Sequence, residues 1–431
     1  SNTLSETVNI TSGLGEAYTP TEIGPDGTAY AINNAKLWAV GANPSGNVYS
    51  TWTASGSGAW DTAGNWSAGV ATTAGDVATF DSSIATASTV TLSSGRTVGT
   101  INFYSGNSYT IAAAPGAVLT LDNGSSTALI NDLAGNHTIY APISLHSSVN
   151  IAVGQSANTL TLSGNIAGGG GITLAASATA LGRGTVVLSG INSYLGTTTV
   201  SAGTLQVAGA LALPDGAVVV NGGTLQLAAG IGKVQLTSLV VGGSGVFDLE
   251  NNHLIINYSG FSPIASIAAA IASGYSGGSW TGPGIISTAA QTGPAYGIGY
   301  ADAADPGNPA GLAPGEIEIM YTLLGDANLD GKVNGADFAI LAANFNKGVS
   351  GWDQGDFNYD GKANGADFAA LAANFNKGAS QSAGANGNDF AALSAFAQAN
   401  GLSVSVPEPS YFCLIAPAVL LLIVRRENKA A

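Results

Sequence analysis

The chain has 431 residues, of which only 9% are charged; glycine reaches 61, and the mean hydropathy is positive. That is too apolar for a disordered protein, the glycine follows no collagen period, and the length permits roughly two to four domains with a sizeable core. A net charge of −15 excludes nucleic acid and anionic lipid as natural partners, since either requires a basic surface, and it suits a cation such as calcium.

The single cysteine, Cys413, allows no intrachain disulfide and is compatible with export. The opening residues SNTLSETVN hold neither a basic region nor an apolar run, so either a signal peptide has been removed or the sequence is a fragment. Residues 24–41 place a turn signal at Asp26-Gly27 beside two short apolar runs and predict a hairpin. Residues 1–48 are therefore expected to form a strand or cap segment. They faintly resemble an edge strand pair of a β-propeller blade, which would make them the remnant of a lost domain.

From residue 49 to about 260 the chain becomes a series of short Val-, Thr- and Leu-rich strands broken by Gly, Asn and Ser. GTLQVAG begins at Gly203 and GTLQLAAG at Gly223, twenty residues on. Strands too short to fold alone, repeating at that period, predict stacked rungs around a shared apolar column, a right-handed β-solenoid. A β-sandwich is the competing architecture. The runs at 66–81 (WSAGVATTAGDVATFD) and 184–209 (GTVVLSGINSYLGTTTVSAGTLQVAG) resemble the autotransporter-associated β-strand repeat proteins of bacterial surfaces. Trp52, Trp60 and Trp66 are expected to cap the open end, since an uncapped rung exposes its core and strand edges; sugar stacking is the alternative.

Residues 261–323 read as a closing segment. Ser262-Pro263 predicts an N-cap followed by proline at the first helical position, 264–273 a short apolar helix, and 316–322 a strand alternating Ile317, Ile319 and Tyr321.

The most constrained stretch follows. DANLDGKVNGADFAILAANFNKG begins at Asp326 and DFNYDGKANGADFAALAANFNKG at Asp356. The first copy places oxygen-bearing side chains at Asp326, Asn328, Asp330, Asn334 and Asp337, with Gly331 sixth and Lys332 seventh. This is the spacing of a twelve-residue calcium loop, in which a hard cation collects six to eight oxygens, glycine permits the sharp turn, and the Lys332 backbone carbonyl serves as a ligand. The second copy supplies Asp356, Asn358, Asp360, Asn364 and Asp367 around Gly361, with the Lys362 carbonyl in the same role. Two calcium ions are implied. Position 12 is Asp rather than Glu, so a shorter side chain must be met by a closer backbone. Phe338, Leu341 and Phe345, then Phe368, Leu371 and Phe375, fall on one face of a helix after each loop, and Lys347-Gly348 and Lys377-Gly378 are expected to end those helices.

A duplicated loop and helix of this kind resembles a type I dockerin over 324–378. The resemblance implies a cohesin-like partner, contacted through loop positions 10 and 11. Those positions are Gly335 and Ala336, then Gly365 and Ala366, where the family often carries hydroxyl groups.

Residues 386–401 echo the helix half of the repeat, with Asp389 and Phe390 matching Asp367 and Phe368. Their missing ligands predict a third helix without metal, or a flexible stalk, within a 379–405 linker. The chain ends on VPEPS at 406–410, an apolar run at 411–424, and a basic tail with Arg425, Arg426 and Lys429. Pro407, Glu408 and Pro409 followed by such a segment resemble the PEP-CTERM sorting signal, which implies a transient inner-membrane anchor and processing by an exosortase. The basic residues would hold the tail in the cytoplasm. The strictly apolar run is shorter than the roughly 20 residues of a spanning helix and contains Pro417.

Catalysis finds little support in the sequence. The acids of the repeat region, Asp61, Asp76, Asp81, Asp122, Asp132, Asp215, Asp248 and Glu250, are scattered, and only Asp248 and Glu250 share a strand face. The cations there are Arg96, Arg183 and Lys233; His137, His146 and His253 form no ligand pattern and are expected on turns or strand faces. No catalytic residue is assigned. The expected protein is a non-catalytic, exported structural or adhesion element with a calcium-dependent docking module. The alternative is a component of a polysaccharide-degrading assembly, recruited through cohesin or with the solenoid itself binding or acting on glycan.

Overall fold

Inward apolar and outward polar residues alternate along almost every short strand, and this pattern sets the architecture. The computed structural model describes residues 22–23, 29–33, 36–40, 46–176, 182–378 and 386–402, the first three segments by their backbone alone. The sorting motif at Pro407, Glu408, Pro409, Arg425 and Arg426, with its apolar segment, lies outside the described residues.

The chain divides into two compact units, Ser1–Val48 and Tyr49–Ala431. In the first, Ala29–Asn33 pairs antiparallel with both Glu22–Ile23 and Lys36–Val40. The predicted turn at Asp26-Gly27 lies outside the described residues.

The second unit begins with a parallel β-solenoid of about eight turns. Its rungs form parallel sheets of ten, nine and five strands, which the chain visits in rotation. One coil runs Ser88–Leu92, Arg96–Val98, Thr100–Tyr104; the next runs Tyr109–Ala113, Leu119–Leu121, Ala128–Ala134 and stacks directly on it. A sandwich would pack two antiparallel sheets face to face, so these parallel ladders exclude that alternative. The twenty-residue repeat becomes a one-coil step: Thr204, Leu205, Gln206 and Val207 lie on Thr224, Leu225, Gln226 and Leu227. Leu160, Val186, Leu205, Leu225, Phe247 and Ile285 make one continuous buried column. Each such side chain contributes about 1.5–3 kcal/mol on burial.

The N-terminal end is closed as expected. Trp52, Trp60 and Trp66 are buried against one another and Phe80, with ring centroids 4.9–6.3 Å apart. The indoles of Trp60 and Trp66 donate to the Ala71 and Trp60 carbonyls. Burial leaves these faces closed to sugar.

His137 opens the strand His137–Ile139, on the face turned inward rather than as surface decoration. It is fully interior, stacked on Phe103 at 4.4 Å, with Nδ1 accepting from the Tyr109 N–H and Nε2 facing the Ala134 carbonyl.

At the other end, α1 (Ile264–Tyr275) buries Ile267 and Ile271, and the Ser262 hydroxyl accepts from the Ile264 N–H. The helix runs two residues beyond the predicted end because Ser276, not an earlier residue, takes the left-handed cap. After α2 (Thr288–Thr292), a four-stranded closing sheet forms. Lys233–Leu236 lies parallel to His253–Asn257, and Glu316–Leu323 runs antiparallel between His253–Asn257 and Tyr296–Asp302. Ile317 and Ile319 are buried as their alternation predicts.

Candidate metal centre

Each calcium-type loop opens on a glycine that packs against the other half. A Cβ on Gly325 would stand 2.7 Å from Leu371 Cα, and one on Gly355 would stand 2.8 Å from Leu341 Cδ1, so both positions need the bare backbone. The helices that follow, α3 (Gly335–Asn344) and α4 (Gly365–Asn374), bury Phe338, Leu341, Phe368 and Leu371 as their spacing predicts. The halves also exchange equivalent backbone bonds, from Asn346 N–H to the Ala363 carbonyl and from Asn376 N–H to the Val333 carbonyl. The duplicated sequence has folded into a pseudo-symmetric pair.

The predicted helix ends need correction. Both helices stop at the Asn of NFNKG, and Asn346 and Asn376 take the positive φ, at 58° and 64°. Lys377–Gly378 instead pairs antiparallel with Lys332–Val333. Asn tolerates the left-handed region, so the turn comes before the glycine is reached.

Within each loop the acidic side chains point inward and gather backbone donors. Asp326 accepts from the N–H groups of Asp330 and Gly331, and Asp356 from those of Asp360 and Gly361. At position 12, one oxygen of Asp337 accepts from Ala327 and Asn328 and the other from Asn334; Asp367 does the same with Phe357, Asn358 and Asn364. The backbone has closed in on the shorter aspartate. Asn334 and Asn364 cap the helices through Oδ1 to the N–H of Ala336 and Ala366. Lys332 and Lys362 project into solvent.

In the second loop, carboxylate oxygens of Asp356, Asp360 and Asp367 lie within 4.8 Å of one another, and no other such group of three occurs among the described residues. The loops differ in their side-chain contacts: in the first the Thr322 hydroxyl donates to Asp326, whereas Trp352 stands at the matching place before Asp356, and in the second the side-chain amides of Asn358 and Asn364 donate to Asp360. The donor set is all oxygen and largely carboxylate, which fits a hard cation. Burial pushes the carboxyls of Asp326 and Asp356 up to about 7 and that of Asp337 to about 6, with repulsion from neighbouring loop aspartates adding to each; burial likewise raises Asp367. Crowded and desolvated, these groups favour whatever neutralises them, a proton or a metal ion.

Sequence reasoning missed how the module is seated. Trp352, between the loops, is buried and donates its indole N–H to the Asp326 carbonyl. Tyr359, in loop two, donates its hydroxyl to the Ile298 carbonyl and accepts from the Ile298 N–H, while stacking near Tyr275 and Trp280. Asn374 reaches the carbonyls of Ala295 and Leu324. Two bulky aromatics inside a calcium repeat were the available signal, since a freely mobile module has no use for them at its surface.

The third helix, α5 (Gly387–Ala399), is packed rather than a stalk. Phe396 lies among Phe338, Phe345 and Phe368, and Phe390 meets Phe375. Of the expected partner positions, Ala336 and Ala366 are exposed, Gly335 lies against the Asp389 carboxylate, and Gly365 lies near Leu402. Elsewhere, Asp248 and Glu250 do converge, but on the hydroxyl of Thr288, which bonds to both.

Among the described residues no helix is long and apolar enough to cross a membrane. No curated protein and no solved structure matches the chain. Residues 179–207 match the family model of the passenger-associated-transport-repeat, and residues 324–376 match that of the type I dockerin domain, a calcium-binding module.

Proposed function

We propose that this chain is a non-catalytic, exported surface protein, in which a right-handed solenoid over 49–260 acts as spacer and the 324–378 module binds two calcium ions to present a docking surface. The observation that carries the reading is the second loop, in which the carboxylates of Asp356, Asp360 and Asp367 converge with no cationic side chain paired to them among the described salt bridges. Asp326, Asn328, Asp330 and Asp337, with the Lys332 carbonyl, hold one ion; Asn334 takes part through water while capping α3. Asp356, Asn358, Asp360 and Asp367, with the Lys362 carbonyl and Asn364, hold the other. A cohesin-like protein contacts Ala336 and Ala366, the exposed pair at the two helix starts. A sorting signal at 406–431, anchored in the inner membrane until an exosortase cuts it, completes export. Isothermal titration of the full chain with calcium tests the module, and no heat in the wild type would overturn it. Capture from exported proteins, with and without Ala336→Glu/Ala366→Glu, tests the docking surface: equal recovery would overturn it.

A second reading is favoured by the bonds of Tyr359 to Ile298 and of Asn374 to Ala295, and by the Trp352 ring lying against Gly297 and Gly299 of the closing sheet. In it, the module is a calcium-stabilised clip that seals the solenoid. That reading predicts unchanged calcium binding but no partner.

A further inference from the structure

The last coil of the solenoid is one strand short on one side. In the coil before it, Thr224–Leu227, Lys233–Leu236 and Ser238–Val241 take the three sides in turn. The next coil stacks Val246–Asp248 on the first of these and His253–Asn257 on the second. At the third side the chain leaves the pattern: the Tyr258 N–H bonds to the Gly315 carbonyl, α1 follows, and the path returns to the first side as Gly284–Ile286. Ser238–Val241 therefore ends the nine-stranded sheet, and no described strand pairs with its outer edge.

The backbone of that edge is open. The Thr237 N–H bonds back to the Gly216 carbonyl, so along a parallel ladder Leu239 and Val241 also turn back to the preceding coil, while Ser238 and Val240 turn their N–H and C=O groups outward. Val240 is 57% exposed. The opposite edge of the same sheet, Tyr49–Thr51, is covered: the Ser67 N–H donates to the Thr51 carbonyl, and the Ser67 and Ser50 hydroxyls accept from the Thr51 and Ala68 N–H groups. An uncovered edge is a template for another extended chain. Here it borders a groove beside α1, of about 130 Å³ between Val240, Pro263, Ile267 and Ala270, which widens to about 370 Å³ toward Gly245 and Ser273. Ser266 lines both stretches, and no charged side chain lines either. A strand edge facing a helix across such a groove lets an added strand take main-chain bonds from one wall and side-chain contacts from the other.

We propose that Ser403–Val406 of this chain enter the groove and complete the coil as its third strand. They lie outside the described residues, and three observations select them. Leu402, the residue before, lies against Gly365 of loop two, and Tyr359 of that loop packs on Tyr275 at the end of α1, 4.8 Å between ring centroids, so the chain leaves the module on the side of α1. Ser403, Val404, Ser405 and Val406 alternate with the period of a strand, which gives Val404 and Val406 one shared face for the apolar lining. None of the four is charged, as none of the groove is, and Pro407 ends the pairing because it has no N–H to donate. Entering from the Ser273 end, the segment runs antiparallel to Ser238–Val241. The solenoid is then closed by the chain's own tail, independently of any partner at Ala336 and Ala366.

Hydrogen–deuterium exchange on the full chain in calcium, read by mass spectrometry over peptides 237–243 and 402–408, tests this. Both peptides should be protected in the wild type. Both should exchange about tenfold faster or more in Val404→Pro, which removes a donor, and in Ser266→Trp, which fills the groove from an exposed helix position. Circular dichroism confirms that each variant is folded. Fast exchange at 402–408 in the wild type, or protection that neither substitution changes, would overturn the proposal. So would protection that rises with protein concentration, which assigns the groove to a second copy, or protection that appears only when other exported proteins are added, which assigns it to a foreign strand.

Discussion

Rungs of the solenoid are joined by columns such as Leu205, Leu225 and Phe247, whereas each loop of the calcium-type module is closed on itself by carboxylates that gather backbone N–H groups. Both regions use segments too short to fold alone. The solenoid removes apolar surface from water and needs no ligand; the module concentrates like charge and needs one. The difference teaches where each is vulnerable: the solenoid to lost volume, the module to lost cation.

The largest expected effect comes from the solenoid side. Phe103→Ala removes a fully buried ring stacked between Phe80 and His137, and about 3–5 kcal/mol of stability should go with it. Urea unfolding followed by tryptophan fluorescence measures this, and the loss should be the same in calcium and in chelator. A loss seen only in chelator would break the comparison. Calcium removal comes next. At a free concentration a hundredfold above Kd, each occupied site adds about 2.7 kcal/mol, so hydrogen exchange across α3 and α4 should quicken on chelation while the rung at Thr100–Tyr104 keeps its protection. Equal protection of α3 and α4 in both conditions would remove the distinction between the regions.

How far the sequence foretold these two regions also differs. The loops were legible as a pattern, because a calcium-type loop demands fixed atom types at fixed spacing, and residues 324–376 match the type I dockerin model. The solenoid was legible as a period, since GTLQ at 203–206 returns at 223–226 where one coil stacks on the next, but the three-sided path was not: turn residues are interchangeable among Gly, Asn and Ser. Helix ends were misjudged because Asn346 and Asn376 compete with glycine for the same conformation. The seating of the module was invisible for another reason. Tyr359 and Asn374 acquire meaning only from Ile298 and Ala295, which lie far from them in sequence.

Asp132 blurs the comparison, being a carboxylate in the apolar interior of the solenoid with neither oxygen hydrogen-bonded. Burial pushes its carboxyl up to about 7, above the ordinary value near 4 in an unfolded chain. Between those values the folded state holds the extra proton, so stability falls as pH rises, by up to about 1.4 kcal/mol per unit, and is fully retained below pH 4 as far as this group is concerned. Chemical denaturation in chelator from pH 5 to 8 should show that slope added to the one from Asp326, Asp337 and Asp356, and Asp132→Asn should lessen it by one group's share. A slope unchanged by the substitution would assign all of it to the loop aspartates.

The smallest expected effect separates two roles of one side chain. Asn364 stands at loop position 9, where a ligand role is expected, yet its Oδ1 accepts from the Ala366 N–H and closes a capping box with Asp367. As a cap it contributes about 1 kcal/mol whether or not calcium is present. Asn364→Ala should therefore lower the unfolding midpoint in chelator as well as in calcium, and Asn334→Ala should do the same through α3, since its bonds are equivalent. Thermal denaturation in the two conditions reads this directly. If the loss vanished in chelator, position 9 would be a ligand alone, and helix capping would have no independent part in holding the module together.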